Sequence, residues 1–402
     1  MEKQKNIPAL RFPEFGGEWI TKPLIELSEN GFSNGAFNDP KKVGKGYRII
    51  NVKDMYVGDF IDVGTLTLID LDEKEFKKNK VEYGDIFFTR SSLVKEGIAY
   101  SNVNLSNADD LTYDGHLIKM RPNKKVSFPS FLAYSFLTPQ IRRQLVTRGK
   151  TTTMTTIGQD DIATAEVSLP LFNEQKKIAT FLSAIDEKLQ ALKKKKALLE
   201  QYKKGVMQKI FSQELRFKDE NGNDFADWEV KRLGDICECL DNLRKPINDY
   251  ERQGMKGSIP YWGANNIMDY VSDYLFDETI VLLAEDGGNF NDYKNKPIAN
   301  LSHGKCWVNN HTHVLRGTKI LLNEFLFYSI VHKNITGYVS GGTRAKLTKG
   351  EMLKIEIDLP SLPEQQKIAS FLTTIDEKIN QQQSQIETVS HYKKGLLQQM
   401  FC

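Results

Sequence analysis

The chain has 402 residues, 40% of them hydrophobic and 27% charged, with 55 Lys and Arg against 52 Asp and Glu. That length suffices for two or three domains with cores of their own, and the composition excludes a disordered or fibrous protein. No run approaches the ~20 apolar residues of a membrane-spanning helix, MEKQKNIPALRF at the start carries no apolar signal-peptide core, and Cys237, Cys239, Cys306 and Cys402 lack a paired spacing, so reduced thiols in a cytoplasmic protein are expected.

Residues 10–24 open with LRF, followed by Trp19, Lys22 and Leu24. YRIIN at 47–51, DIFFT at 85–89 and HLIKM at 116–120 read as short strands, and 128–146 as a helix. LPLFNEQKKIATFLSAIDEKLQ at 169–190 begins a long helical pattern that runs through YKKG at 202–205 to Phe211. The opening then returns at 215–233 as LRF, Trp228, Lys231 and Leu233. TIVLLA at 279–284, CWVNNHTHVL at 306–315 and KIEIDLP at 354–360 read as strands, and 322–333 as a helix. LPSLPEQQKIASFLTTIDEKIN at 359–380 and YKKG at 392–395 repeat the long pattern without a gap, 190 residues on (169 against 359). FLAYS at 131–135 against FLFYS at 325–329 is the one likeness inside the intervening regions.

Within each copy of the long pattern the apolar residues recur every seven, as at Ile178, Ile185, Leu192, Leu199 and Val206, a stripe of coiled-coil width sustained for about five heptads. Asn173 suits an N-cap and Pro363 a first helical turn, and each helix should be about 58 Å long. The predicted fold class is α+β: a mixed domain over 1–172, a helix over 173–212, a second mixed domain over 213–362 and a second helix over 363–402. The first helix feeds directly into the second LRF; by the same repeat, the second helix should end near the first LRF. Both conditions hold for two antiparallel helices with a pseudo-two-fold repeat, whose stripes cover one another and whose chain ends meet. Gly205 and Gly395, at a cost of about 1 kcal/mol each against Ala, read as points of close helix approach.

Motifs for catalysis are missing: there is no GxxxxGK[ST], no GxGxxG after a strand, no HExxH and no GxSxG. Asp59 with Asp72-Glu73-Lys74 is a poor nuclease set, since DEK recurs on both helices. His303, Cys306, His311 and His313 match no closed zinc spacing, so no metal is expected. The charge map is more informative. From Gly115 to Gln159 there is no Asp or Glu, and from Tyr293 to Gly350 only Glu324. These stretches hold many Lys and Arg and two hydroxyl- and glycine-rich loops, RGKTTTMTT at 148–156 and SGGTRAKLT at 340–348. Cations there suit phosphates or guanine edges, and threonine and backbone N–H groups suit phosphate oxygens. The candidate DNA-facing residues are Lys119, Arg121, Arg142, Arg143, Arg148, Lys150, Thr151 and Thr152 in the first half, and Lys305, Asn310, His311, Thr343, Arg344 and Lys346 in the second. Lys193 to Lys196 read as a solvated helix face.

LP…EQ…IA.FL..IDEK twice, each followed by YKKG and each preceded by a divergent domain, resembles the specificity subunit of type I restriction–modification systems across essentially the whole chain. The resemblance implies two target-recognition domains that each read one half of a bipartite, non-palindromic double-stranded DNA target. It implies a non-catalytic subunit whose helices dock two methyltransferase subunits; Ile178, Leu182, Ile185, Leu189, Ile368, Leu372, Ile375 and Ile379 are the stripe residues expected to form those helices' docking frame. It implies no cofactor in this chain, with S-adenosylmethionine, ATP and Mg2+ used on the methyltransferase and restriction subunits. Two readers on one face of a duplex would be centred about one helical turn, ~34–36 Å, apart. A stand-alone DNA-modifying enzyme or nuclease, or a helical scaffold without DNA contact, are the alternatives.

Overall fold

The computed structural model describes residues 6–58, 60–341 and 345–402. It divides into two compact units, residues 1–193 with 384–402, and residues 194–383. The division falls inside both long helices, Phe172–Phe211 and Leu362–Gln399. Each unit therefore contains one globular region, the start of the helix that leaves it and the end of the other helix.

In the first unit a four-stranded antiparallel sheet runs Ser28–Asn34, Leu117–Pro122, Ile86–Thr89, Ser101–Val103. Ile86–Thr89 is buried at every position, as an apolar central strand with both faces covered should be. Its alternation sorts two cores. Ile86 and Phe88 face a cluster with Phe131, Leu132, Phe136 and the long helix, while Phe87 packs with Ile50, Tyr113 and Leu117. A second sheet joins Thr67–Ile69, Val43–Ile50 and Leu111–Tyr113, the last pair parallel. Ile20–Pro23 pairs with Glu166–Leu169 and so ties the start of the domain to the foot of the helix. The helix expected over 128–146 is two, Pro129–Phe136 and Pro139–Arg148, because Pro139 forces Thr138 into an extended conformation (φ −73°, ψ 148°).

The second unit has the same strand plan. Cys237–Cys239, Thr312–Gly317, Ile280–Ala284 and Ala299–Ser302 form the antiparallel sheet. Lys256–Trp262 pairs antiparallel with Ile267–Val271 and parallel with Lys305–Val308. Glu229–Arg232 pairs with Glu356–Leu359. CWVNNHTHVL is therefore two strands of two different sheets, broken at Asn309, whose side chain accepts from the His311 N–H at 2.8 Å.

The repeated motif acquires a reason residue by residue. The helices begin at Phe172 and Leu362, so Asn173 lies inside the first turn instead of capping it. Glu174 and Glu364 are fully buried and receive Arg11 and Arg216; Trp228 also donates to Glu364 at 3.0 Å. Gln175 accepts from the Phe128 N–H and donates to the Pro170 and Val126 carbonyls; Gln365 does the same with Leu322, Pro360 and Ile320. LRF closes each unit: Leu10 N–H donates to Gln399 O at 2.8 Å, and Leu215 N–H to Lys209 O at 2.9 Å.

Each unit also holds an ion pair between its two helical segments, buried in the first and half-buried in the second. Lys393 meets Asp186 at 2.5 Å and Tyr134 donates to the same carboxylate; Lys203 meets Asp376 at 2.5 Å and Tyr328 donates there. In the first unit one segment rises from Glu174 to Asp186 while the other falls from Gln399 to Lys393, which makes them antiparallel. The second unit repeats this from Glu364 to Asp376 and from Phe211 to Lys203.

The apolar stripe corrects one expectation. Ile178, Leu182, Ile185 and Leu189 sit in the first core, and Ile368, Leu372 and Ile375 in the second with Ile379 packed against it. At about 1.5–3 kcal/mol per buried side chain they stabilise each unit's own core, and the stripe itself is no free docking surface. The glycines correct another. A Cβ at Gly205 or Gly395 would meet nothing within 4 Å, so neither marks a close approach of helices.

Candidate nucleic-acid interface

At one end of each sheet three loops are held together by the same backbone bonds. In the first unit Arg90 N–H donates to His116 O, Ile157 N–H donates to Arg90 O, and Ser91–Ser92 pair with Thr155–Thr156 of the hairpin that begins at Lys150. In the second, Glu285 N–H donates to His311 O at 2.9 Å, Leu347 N–H donates to Glu285 O at 2.8 Å, and Asp286 bridges to Lys346. The turns match too, since His116 N–H is held by Asp114 and His311 N–H by Asn309. Arg90, His116 and the 150–156 hairpin thus correspond to Glu285, His311 and the 340–346 loop.

These loops collect some of the expected residues. Thr151 and Thr152 lie exposed on the hairpin, whose Thr151 and Thr155 hydroxyls are 2.9 Å apart. Lys150 projects into solvent, 3.2 Å from Asp161. Arg143 is exposed with no side-chain partner among the described residues. In the second unit Asn310, His311 and Lys346 come together: His311 is 3.3 Å from Asp286, and Lys346 is 3.3 Å from Glu285. Thr343 and Arg344 lie outside the described residues.

Other expected residues are engaged internally, and for them the charge map misleads. Lys119 is 8% exposed, bonded to the Lys80 carbonyl, with Asp85 at 3.8 Å; burial pushes its ammonium pKa down, against the upward pull of Asp85. Arg121 makes a forked bond to Asp85 and reaches Glu82. Arg142 donates to the carbonyls of Ala99, Glu96 and Ile98, and Arg148 to those of Gln144 and Thr164. Lys305 lies over the Tyr274 ring at the far end of its strand, roughly 16 Å of extended chain from Asn310. The acids that balance Arg121 come from outside the acid-free stretch, which is why the stretch looked unpaired.

Among the described residues the cluster with ligand-like spacing is Cys239, Asp241 and His313, which shares only His313 with the sequence group His303, Cys306, His311 and His313. The His313 ring nitrogens face Asp241 at 2.7 Å and the Leu347 carbonyl at 2.9 Å, and Arg244 lies 3.3 Å from the Asp241 carboxylate. Burial opposes ionisation of Asp241, but the hydrogen bonds from His313 and the Val314 N–H outweigh it and hold the carboxyl below its usual range. The group ties the foot of the 340–347 loop to the central sheet.

The first loop set presents threonine hydroxyls and cations, and the second Asn310, His311 and Lys346 beside Glu285 and Asp286; hydroxyls, amides and cations are the chemistry by which proteins hold phosphates and read base edges. The family described as type I restriction modification DNA specificity domain matches residues 17–201 and 226–388. The chain belongs to this family. A putative type I restriction enzyme specificity subunit of Methanocaldococcus jannaschii is 25% identical over 98% of this chain and 95% of its own length. A putative specificity subunit of Haemophilus influenzae is 39% identical over a shorter span, 37% of each chain. The crystal structure of the type I restriction–modification S subunit from M. genitalium superposes with a TM-score of 0.64 at 15% identity, covering 98% of this chain and 99% of that one. The division of this chain into two α/β regions with two long helices is that fold.

Several exposed side chains at these loop ends were not among the residues expected from the sequence. Leu93 and Val94 are 87% and 61% exposed in the loop that follows Ser91–Ser92, next to Arg90. In the second unit an open hollow of about 580 Å³ is lined by Asn248, Tyr250, Arg252, Met268, Asn310 and His311, with Tyr250 85% exposed. An apolar pair between SS and KEG was the available signal for Leu93 and Val94; Tyr250, in an ordinary polar stretch, gave none. Among the described residues no helix is long and apolar enough to cross a membrane.

Proposed function

We propose that each unit reads one half of a bipartite, non-palindromic site in double-stranded DNA. The observation that carries this is the pair of matched loop sets. The backbone bonds are the same in both and a histidine is kept at one matched place, His116 and His311, while the side chains differ at the other two: Arg90 against Glu285, the threonine hairpin against the glycine-rich loop. Equal scaffolds with unequal side chains suit two readers of different sequences. The chain acts as the non-catalytic specificity subunit of a type I complex, in the cytoplasm. Its long helices dock two methyltransferase subunits, through which restriction subunits join. S-adenosylmethionine, ATP and Mg2+ are then used on those partners and not on this chain.

Exchange of residues 20–168 for the corresponding region of another family member tests the reading. Mapping methylation in cells that carry the chimera should show one half of the target changed and the other kept. A chimera that folds and assembles but loses both halves together would overturn the two-reader assignment.

A further inference from the structure

The repeated helices diverge wherever packing asks only for an apolar pattern. Residues 191–201 and 381–391 have no residue in common, yet the next ten keep six, as YKKGVMQKIF against YKKGLLQQMF. Two of the six are explained inside the fold. Lys203 and Lys393 hold Asp376 and Asp186. Phe211 and Phe401 pack on Trp228 and Trp19.

The other four have no such role in the two cores. Tyr202 and Tyr392 are 53% and 55% exposed, an unusual state for a large aromatic kept in both copies. Lys204 and Lys394, and Gln208 and Gln398, are exposed with no side-chain partner among the described residues. Gly205 and Gly395 weaken their helices, and a Cβ there would have open space. At about 100° per residue the four sweep the solvent face, with glycine between tyrosine and glutamine. In the second unit Tyr202 and Gly205 line a shallow hollow with Leu198, Gln201 and Lys209, and Lys204 and Gln208 line a second one beside it with Tyr293 and His332.

We propose that Tyr202, Lys204, Gly205 and Gln208 in one unit, and Tyr392, Lys394, Gly395 and Gln398 in the other, are two copies of one docking patch, each taking one methyltransferase subunit. This rests on the docking reading given above. The occupant is one kind of protein in two copies, because the patches match in residue and in helical position while their surroundings differ. Glycine leaves a notch that a partner's side-chain ridge enters, tyrosine is the aromatic anchor beside it, and the lysine calls for a carboxylate opposite.

The test is the number of methyltransferase subunits bound by the full chain, counted by native mass spectrometry with affinities from titration. Wild type should take two. Tyr202→Ala with Gly205→Leu, or Tyr392→Ala with Gly395→Leu, should take one, and the four-fold variant none, each patch weakened on the order of tenfold to a hundredfold. The melting temperature of the isolated variants should be unchanged or raised, since leucine favours helix more than glycine does. A four-fold variant that still binds two subunits at wild-type affinity overturns the patch and leaves docking elsewhere on the chain intact. A wild-type chain that takes up no methyltransferase overturns the docking reading and the patch with it.

Discussion

The two units are the same device with different contents, and the differences fall at one end. Their sheets share strand order, and Arg121 and Arg316 occupy corresponding interior strands, each forked onto an acid of a neighbouring segment. At the foot of each helix a buried glutamate takes an arginine from LRF. At the loop end the correspondence of backbone persists while charge reverses. Arg90 is exposed, whereas Glu285 at the same place is enclosed by Arg244 and Lys346. Ile118 packs in the first core where His313 ties the loop foot of the second. The fold carries the reversal because Arg90 faces solvent while the inward Glu285 and His313 each have partners, Arg244 and Lys346 for the one and Asp241 for the other; an inward charge without a partner would be costly.

The deepest difference to break is in the helix clamps. Asp186 and Lys393 have side chains 1% and 10% exposed, whereas Asp376 and Lys203 are 31% and 19% exposed. Asp186→Ala should therefore cost about 3–5 kcal/mol, as for a buried pair broken on one side, and Asp376→Ala clearly less. Urea denaturation of both variants measures this; equal losses would contradict the difference in burial.

Adjacent arginines on one helix sharpen the division between frame and reader. Arg142→Ala removes bonds to three carbonyls and should cost roughly 1.5–3 kcal/mol of stability with little change in DNA affinity at permissive temperature. Arg143→Ala should leave the melting temperature alone, weaken binding to all sequences and reduce the salt slope by about 1. Calorimetry and titration at several salt concentrations separate the two.

Arg90 tests the reversal itself. Arg90→Ala should weaken binding by about 1–3 kcal/mol at one base pair of one half-site if it reads a guanine, and leave the other half-site unchanged. Binding to a library randomised in each half is the measurement, and an equal effect on both halves would place Arg90 outside a single reader.

The smallest effect concerns acid. Asp241 has a native pKa below its usual value, so the stability it confers is present above the unfolded pKa and is lost as pH falls through the native one. Wild type should lose stability below about pH 4, and Asp241→Asn should lose less over that window while being less stable at neutral pH. Thermal scans from pH 3 to 7 would show it.

The sequence by itself determined the repeat, the two long helices and their antiparallel closure, because helical periodicity is local and a gapless 190-residue offset leaves one consistent connectivity. It also carried the family, since Glu174, Gln175, Asp186 and their copies are fixed by contacts that recur in both helices of this chain. What faces each stripe was decided by tertiary structure. Ile185 and Ile375 pack on their own domains, and heptad spacing records only that such residues are buried, not by what. The same holds for charge. Lys119 and Arg121 sit in an acid-free stretch of sequence, yet Asp85 and Glu82 reach them across the sheet, since electrostatic pairing depends on distance in space. The correspondence of Arg90 with Glu285 was likewise invisible, because backbone hydrogen bonds set it and they place no demand on the side chains that share it.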